Sequence, residues 1–182
     1  MGSAWSATLH VPAGGRTGSP VFDEPGDLPA IVRISRGAGM PEPLPDAIGV
    51  AVRLCDVHGP GLHQDFLLVS SVDAPVLHHL ILPGIVPGQS YSSVLPYRIG
   101  GRLRLVGALP RGRGAFDLAL APFGGRFAPV GRLVLGDRLD DATSEALRFN
   151  PWHTGGGIEP AGPLQGWRRS SYRGSQEGRG AA

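Results

Sequence analysis

The chain is cut into short apolar runs, each closed off by glycine or proline, and this limits its fold more than any other feature. Residues 7–11, 30–36, 48–54, 65–70, 76–82, 101–108, 115–121 and 130–136 read as strands. Several alternate with a period of two. Leu103 and Leu105 point away from Arg102 and Arg104, and Phe116, Leu118 and Leu120 share one side of their run. Alternation of this kind marks antiparallel strands with one buried face. The 29 glycines and 18 prolines keep each run short. Eight such strands predict a mainly β protein built as an antiparallel barrel or strongly bent sheet, because closure removes exposed edges. A length of 182 residues suits a single domain over 1–182, with a frayed tail at about 177–182.

Helical signals come late. DDATSEALRF offers Asp140 or Asp141 as a cap and predicts a helix of at most two turns. GPLQGWRRSSYRGSQ predicts a C-terminal helix with Pro163 near its start. Gly174 and Gly178 weaken its end by about 1 kcal/mol each, so it needs a surface to pack on. Prolines make 37–46 a rigid loop, and 150–163 reads as an extended connector.

Composition narrows the partners. Charged residues are 18% of the chain and the net charge is only +2, which makes no case for nucleic acid. Every basic side chain other than histidine is arginine, as the coding bias of a GC-rich genome produces. The single cysteine, Cys55, rules out an internal disulfide and reads as a buried thiol. No apolar run reaches the ~18 residues of a membrane span, and the N-terminus lacks the pattern of a signal peptide. A cytoplasmic protein is the expectation.

Arg168, Tyr172 and Arg179 carry the most specific chemistry. On a helix, offsets of 0, +4 and +11 fall on one stripe. A guanidinium one turn from a phenol favours the phenolate, and a phenolate is an axial ligand for ferric haem iron. The second arginine can pair with a carboxylate such as a haem propionate. The same residues also fit a basic, polar surface helix.

Other constellations are weaker. His78 and His79 point to opposite faces of a strand, while His58, His63 and Asp65 lie in and after a glycine-rich turn without zinc spacing. GRTG at 15–18 and TGGG at 154–157 read as turns. The serines at 70, 71, 90, 92 and 93 lack a nucleophile elbow. Arg102, Arg104, Arg111 and Arg113 read as a solvated strand face and turn. A phosphodiesterase-type hydrolase would need carboxylates and histidines spaced for two metals, and no such cluster is present.

Residues 32–66 contain VRISRGAG, PDAIGVAVRL and QDF. With the C-terminal Arg-Tyr-Arg spacing, they resemble the haem-dependent catalase superfamily, and most of all its small, divergent bacterial members. The matching positions are Arg33, Ser35, Asp46, Gly49, Ala51, Val52, Arg53 and Asp65, then Arg168, Tyr172 and Arg179. The resemblance implies a catalase-like barrel that binds haem b. Tyr172 would be the iron ligand and Arg168 its support, Arg33 and Arg179 would hold the propionates, and Ser35 would lie on the distal side. It implies a small peroxide as substrate, and so short a chain is expected to be a monomer or a dimer. The departures are as definite. No distal-histidine segment is found, and His10, on the first strand, is a poor match in context. Val69 or Ser70 stands where the distal asparagine belongs, Ile48 replaces an arginine, and Gly174 replaces an aspartate. Peroxide turnover needs a group that moves a proton between the peroxide oxygens. A peroxidase with a weak distal side, or a haem-free barrel acting as a binding or structural module, is therefore expected rather than a full catalase.

Overall fold

The computed structural model describes residues 2–36, 48–72, 89–93 and 96–161. In chain order the elements are β1 (Gly2–Val11), α1 (Pro20–Asp23), β2 (Gly26–Arg36), β3 (Ile48–Leu54), β4 (Gln64–Val72), β5 (Gln89–Ser92), β6 (Tyr97–Ile99), β7 (Arg102–Pro110), β8 (Ala115–Pro122), β9 (Ala128–Arg138), α2 (Asp141–Ala146) and β10 (Ile158–Pro160). All strand pairings between these elements are antiparallel, and each strand of the wall lies beside the next in sequence. β5 and β6 share one edge of β7: β6 runs opposite Arg102, Leu103 and Arg104, and β5 opposite Gly107 and Ala108. They act as one interrupted strand. β9 then returns to pair with β1, which closes an eight-stranded barrel.

The expected strand at 48–54 coincides with β3. Those at 7–11 and 30–36 are longer than expected, because the β1–β2 ladder runs unbroken from Gly2 opposite Ser35 to Val11 opposite Gly26. β5 is short and polar, and β6 and β10 are three residues each, so no apolar run announced them. The expected strand at 76–82, the loop at 37–46 and the C-terminal helix lie outside the described residues.

Side chains fill the barrel. Leu9, Val32, Val52, Leu54, Phe66, Leu118 and Leu133 are all fully buried inside it. Phe116, Leu118 and Leu120 share the inner face as their alternation required. β7 departs from the simple pattern. Leu105 is fully buried while Leu103 is 46% exposed, and the strand is buried on both faces from Leu105 to Leu109. A second layer covers this part of the wall: Gly107 is bare because a Cβ there would lie 2.5 Å from the Phe127 ring.

One end of the barrel is plugged. Ser19 and Pro20 start the single turn of α1, which buries Val21 and Phe22. Phe22 stacks on Phe66 at 6.2 Å, and Phe66 meets Tyr97 edge-on at 5.5 Å. The glycine-rich stretches are turns, and they interlock beneath this plug. Ser19 Oγ donates to Gly156 O at 2.8 Å, and Gly100 N donates to Gly157 O at 3.1 Å. The His58 ring lies flush against Gly155 and Gly156, where a Cβ would approach it to 2.9 Å.

Gly100 and Gly101 join β6 to β7, both with positive φ, as a tight two-residue hairpin requires. They differ in surroundings: a Cβ on Gly100 would lie 2.3 Å from Thr17 O, while one on Gly101 meets nothing. Gly101→Ala is expected to cost about 1 kcal/mol, from backbone strain alone. Gly100→Ala adds a clash with backbone that cannot swing aside and is expected to cost about 3 kcal/mol. Urea denaturation of the two variants measures the difference.

Candidate functional site

The two described residues expected at a haem site, Arg33 and Ser35, lie two apart on β2 and share its outer face. The register surrounds them with small residues. Arg33 stands between Ala4 of β1 and Ala51 of β3, and Ser35 between Gly2 and Gly49. Gly49 and Ala51 belong to the same sequence motif, so the fold gathers the motif's small residues around the arginine. The side chains converge over Gly2: a Cβ placed there would lie 2.8 Å from Ser35 Cβ and 3.0 Å from Arg33 Nε.

The segment from Leu139 to Leu147 crosses above this face. It is anchored on β1 by Leu139 N donating to Ala4 O at 2.9 Å. Asp140 caps α2 as expected, accepting from Thr143 N at 2.7 Å. Ser144 is the one α2 residue that is buried, and its hydroxyl has no hydrogen-bond partner among the described residues. Arg33 is held only weakly. Nη1 donates to Leu147 O at 3.5 Å, and Nε is buried without an acceptor among the described residues.

Two other clusters show arginines fully engaged. Asp65 is completely buried on the outside of β4 and forms a two-pronged pair with Arg53 of β3, with Arg53 Nε donating to Oδ1 at 2.8 Å and Nη2 to Oδ2 at 2.7 Å. The pair grips the connector. Arg53 Nη2 also donates to Arg148 O at 2.5 Å, and its guanidinium lies 5.1 Å from the centre of the Phe149 ring. Asn150 N donates to Asp65 Oδ2 at 2.8 Å, and Asp65 N donates to His153 O at 2.9 Å. His153 Nδ1 lies 3.1 Å from Asp65 Oδ2. A carboxylate only accepts, so Nδ1 is the donor in this contact. On β8, Asp117 accepts from Arg111 Nε at 2.5 Å and Arg132 Nε at 2.7 Å. Burial pushes the Asp117 carboxyl up, but the hydrogen bonds and charges of the two arginines outweigh it and hold the group below the usual carboxylate range.

The remaining candidates scatter. Tyr172, Arg168, Arg179, Asp46, His78 and His79 lie outside the described residues. His10 is on the outer face of β1, 48% exposed, with Nδ1 donating to Asp27 at 2.6 Å. That places it six residues along the strand from the neighbour of Arg33, about 20 Å away at strand spacing. Of the positions that depart from the family pattern, Ile48 faces inward, and its N donates to the buried Ser70 Oγ at 3.3 Å. Val69 faces outward, opposite Gly49. His58 bonds Gln64 Oε1 at 3.2 Å, and His63 Nδ1 accepts from Asp56 N at 3.1 Å. Cys55 is half-buried, and burial raises its thiol pKa. Sequence reasoning missed the roles of Ser144, Leu147 and His153. Their only signal was the acidic helix cap upstream and a histidine in a loop. The chain was compared with known protein families and with curated proteins, and it matches none.

Two stability tests follow from these clusters. Asp65→Asn leaves the mostly buried Arg53 without its counter-charge and is expected to cost about 3–5 kcal/mol in a denaturant titration. Asp117 has a depressed pKa, so its stabilisation is fully present above the unfolded-state carboxylate value and is lost as pH falls through the folded value. Thermal melts below about pH 4 are expected to show a smaller acid loss in Asp117→Asn than in the parent protein.

Proposed function

We propose that this chain is a haem-binding, catalase-related barrel with peroxidase-type activity on hydrogen peroxide or organic peroxides. The observation that carries the proposal is Arg33. Its buried Nε has no acceptor among the described residues, whereas Arg53, Arg111 and Arg132 each bond a buried carboxylate. A positive group left in this state is a ready partner for an anion supplied from outside the described residues. The residues around it fit the carboxylate end of a haem: a guanidinium, a hydroxyl on Ser35, and glycine and alanine flanks that leave the sheet face low. Arg33 would bind and orient a propionate. Tyr172, supported by Arg168, would supply the iron ligand, and Arg179 would hold the second propionate. The haem, when bound, supplies the redox chemistry of peroxide reduction.

Each described histidine is engaged away from Arg33 and Ser35, by Asp27, Gln64, Asp56 or Asp65. Ser35 alone cannot shuttle a proton at neutral pH as an imidazole does. The activity proposed is accordingly that of a slow peroxidase. A haem-free barrel is the second reading, and one observation favours it. Arg53 and Asp65, which belong to the resembling motif, are fully employed in gripping the connector, a role that needs no cofactor.

Reconstitution with haemin separates the two. The haem proposal expects a ferric Soret band in the wild type that is lost or shifted in Tyr172→Phe, with affinity lowered in Arg33→Gln. A folded, colourless protein, identical in all three forms, sinks it and leaves the module.

A further inference from the structure

We propose that Arg33 and Ser144 form a site for one small oxyanion, a single carboxylate or phosphate group, roofed by the strap Leu139–Leu147, and that occupancy pins the strap to the barrel. The site shares Arg33 with the haem proposal but does not need haem, and Ser144 belongs to no part of that proposal.

Three observations converge. The first is the pair of orphans. Among the described residues, Arg33 Nε and Ser144 Oγ are both buried and unpartnered, and α2 packs on β1, whose Ala4 lies opposite Arg33 in the sheet. Each such group costs free energy that one shared acceptor would recover. An oxyanion can accept from Nε–H and from the Ser144 hydroxyl at once, and a guanidinium with a hydroxyl is a natural oxyanion pair.

The second is the grip of the strap. α2 is six residues long and buries only Ser144, so no apolar side chain of the helix anchors it to the sheet. Helices in proteins are held mainly by packing of an apolar face, and this one has none. Its ends are fixed instead. Leu139 is tied to Ala4, and Arg148, just beyond Leu147, is tied to the Arg53–Asp65 pair. A segment fixed at both ends and loose between them opens locally at low cost.

The third is the contact at Leu147. Its carbonyl is the only described acceptor for Arg33, at the outer limit of a hydrogen bond. A charged oxyanion is a stronger acceptor than a peptide carbonyl and would displace it. The small neighbours Ala4, Gly2, Ala51 and Gly49 leave no acidic side chain of the sheet beside Arg33 to compete.

The test uses the full chain without haem. Its melting temperature and the hydrogen exchange of amides 141–147 are measured in acetate, in phosphate and in chloride at matched ionic strength. Acetate or phosphate is expected to raise the melting temperature saturably and to slow exchange in α2, while chloride does neither. Arg33→Gln is expected to abolish the response. Ser144→Ala removes an unpartnered hydroxyl, so the ligand-free protein should be as stable as the parent or more so. Its oxyanion affinity should fall by roughly threefold to tenfold, the loss of one ordinary hydrogen bond. A metal-free porphyrin dicarboxylate serves as a parallel probe. If it protects α2 while acetate and phosphate do not, the free-ion site is overturned and the haem proposal is left standing. An equal response to all three salts, or an undiminished one in Arg33→Gln, also overturns the proposal. A missing Soret band beside an intact phosphate response would instead remove the haem and leave this site in place.

Discussion

The double pairing of β1 fixes what every other residue can do. β1 lies against β2 along its whole length and against β9 over its second half, and only this turns a meander into a barrel. Closure assigns each strand an inside and an outside. An inside of eight strands is just wide enough for side chains to fill, and Leu9, Val52, Phe66 and Leu118 fill it. Binding chemistry is thereby displaced to the outer wall. The register set by β1 then decides which outer residues meet, so that Ala4 and Gly2 flank Arg33 and Ser35. A slip of one residue would turn Arg33 into the core and Val32 into solvent.

The outer wall carries three arginine clusters solved in different ways. At Arg53–Asp65 and at Arg111–Asp117–Arg132, a buried carboxylate is neutralised by guanidinium groups with good geometry. Desolvating such groups costs several kcal/mol unless the pairing is close, and here it is. At Arg33 no carboxylate among the described residues makes the pair, and a backbone carbonyl accepts at 3.5 Å. The strap that supplies that carbonyl is itself held at one end by the Arg53–Asp65 pair, through Arg148. The best-satisfied cluster thus sets the position of the chain that covers the least-satisfied one.

Much of the barrel was legible because its strands obey local rules. Ile48 to Leu54 alternates strictly, and its strand was bounded to the residue. The same logic put Leu103 and Leu105 on one face but gave no sign that only Leu105 would be covered, because period two reports which side chains share a face but not where a second layer will lie. β5 and β6 were invisible for a related reason: Gln89–Ser92 is polar and buried, and its strand exists because β4 and β7 lie on either side. Arg33 and Ser35 were named from a motif, and the register sets them two apart on one outer face. Ser144 and Leu147 were not, since a two-turn helix gives no hint of the sheet it will cross. His153 was missed because its meaning depends on Asp65, far away in sequence.

The contrast between His10 and His153 shows why topology has to come before chemistry on this chain. His10 lies on the same strand as the neighbours of Arg33 and invited comparison with a catalytic histidine, yet six residues of strand carry it to the other end of the wall and into a pair with Asp27. His153 lies in a loop with no motif, yet its Nδ1 lies 3.1 Å from a carboxylate oxygen of the fully buried Asp65. A ring held by a buried carboxylate is fixed more firmly than one paired with an exposed aspartate in water, because its partner cannot reorient. Position on the closed wall, and not nearness to a motif in sequence, thus decides which imidazole is held and by what.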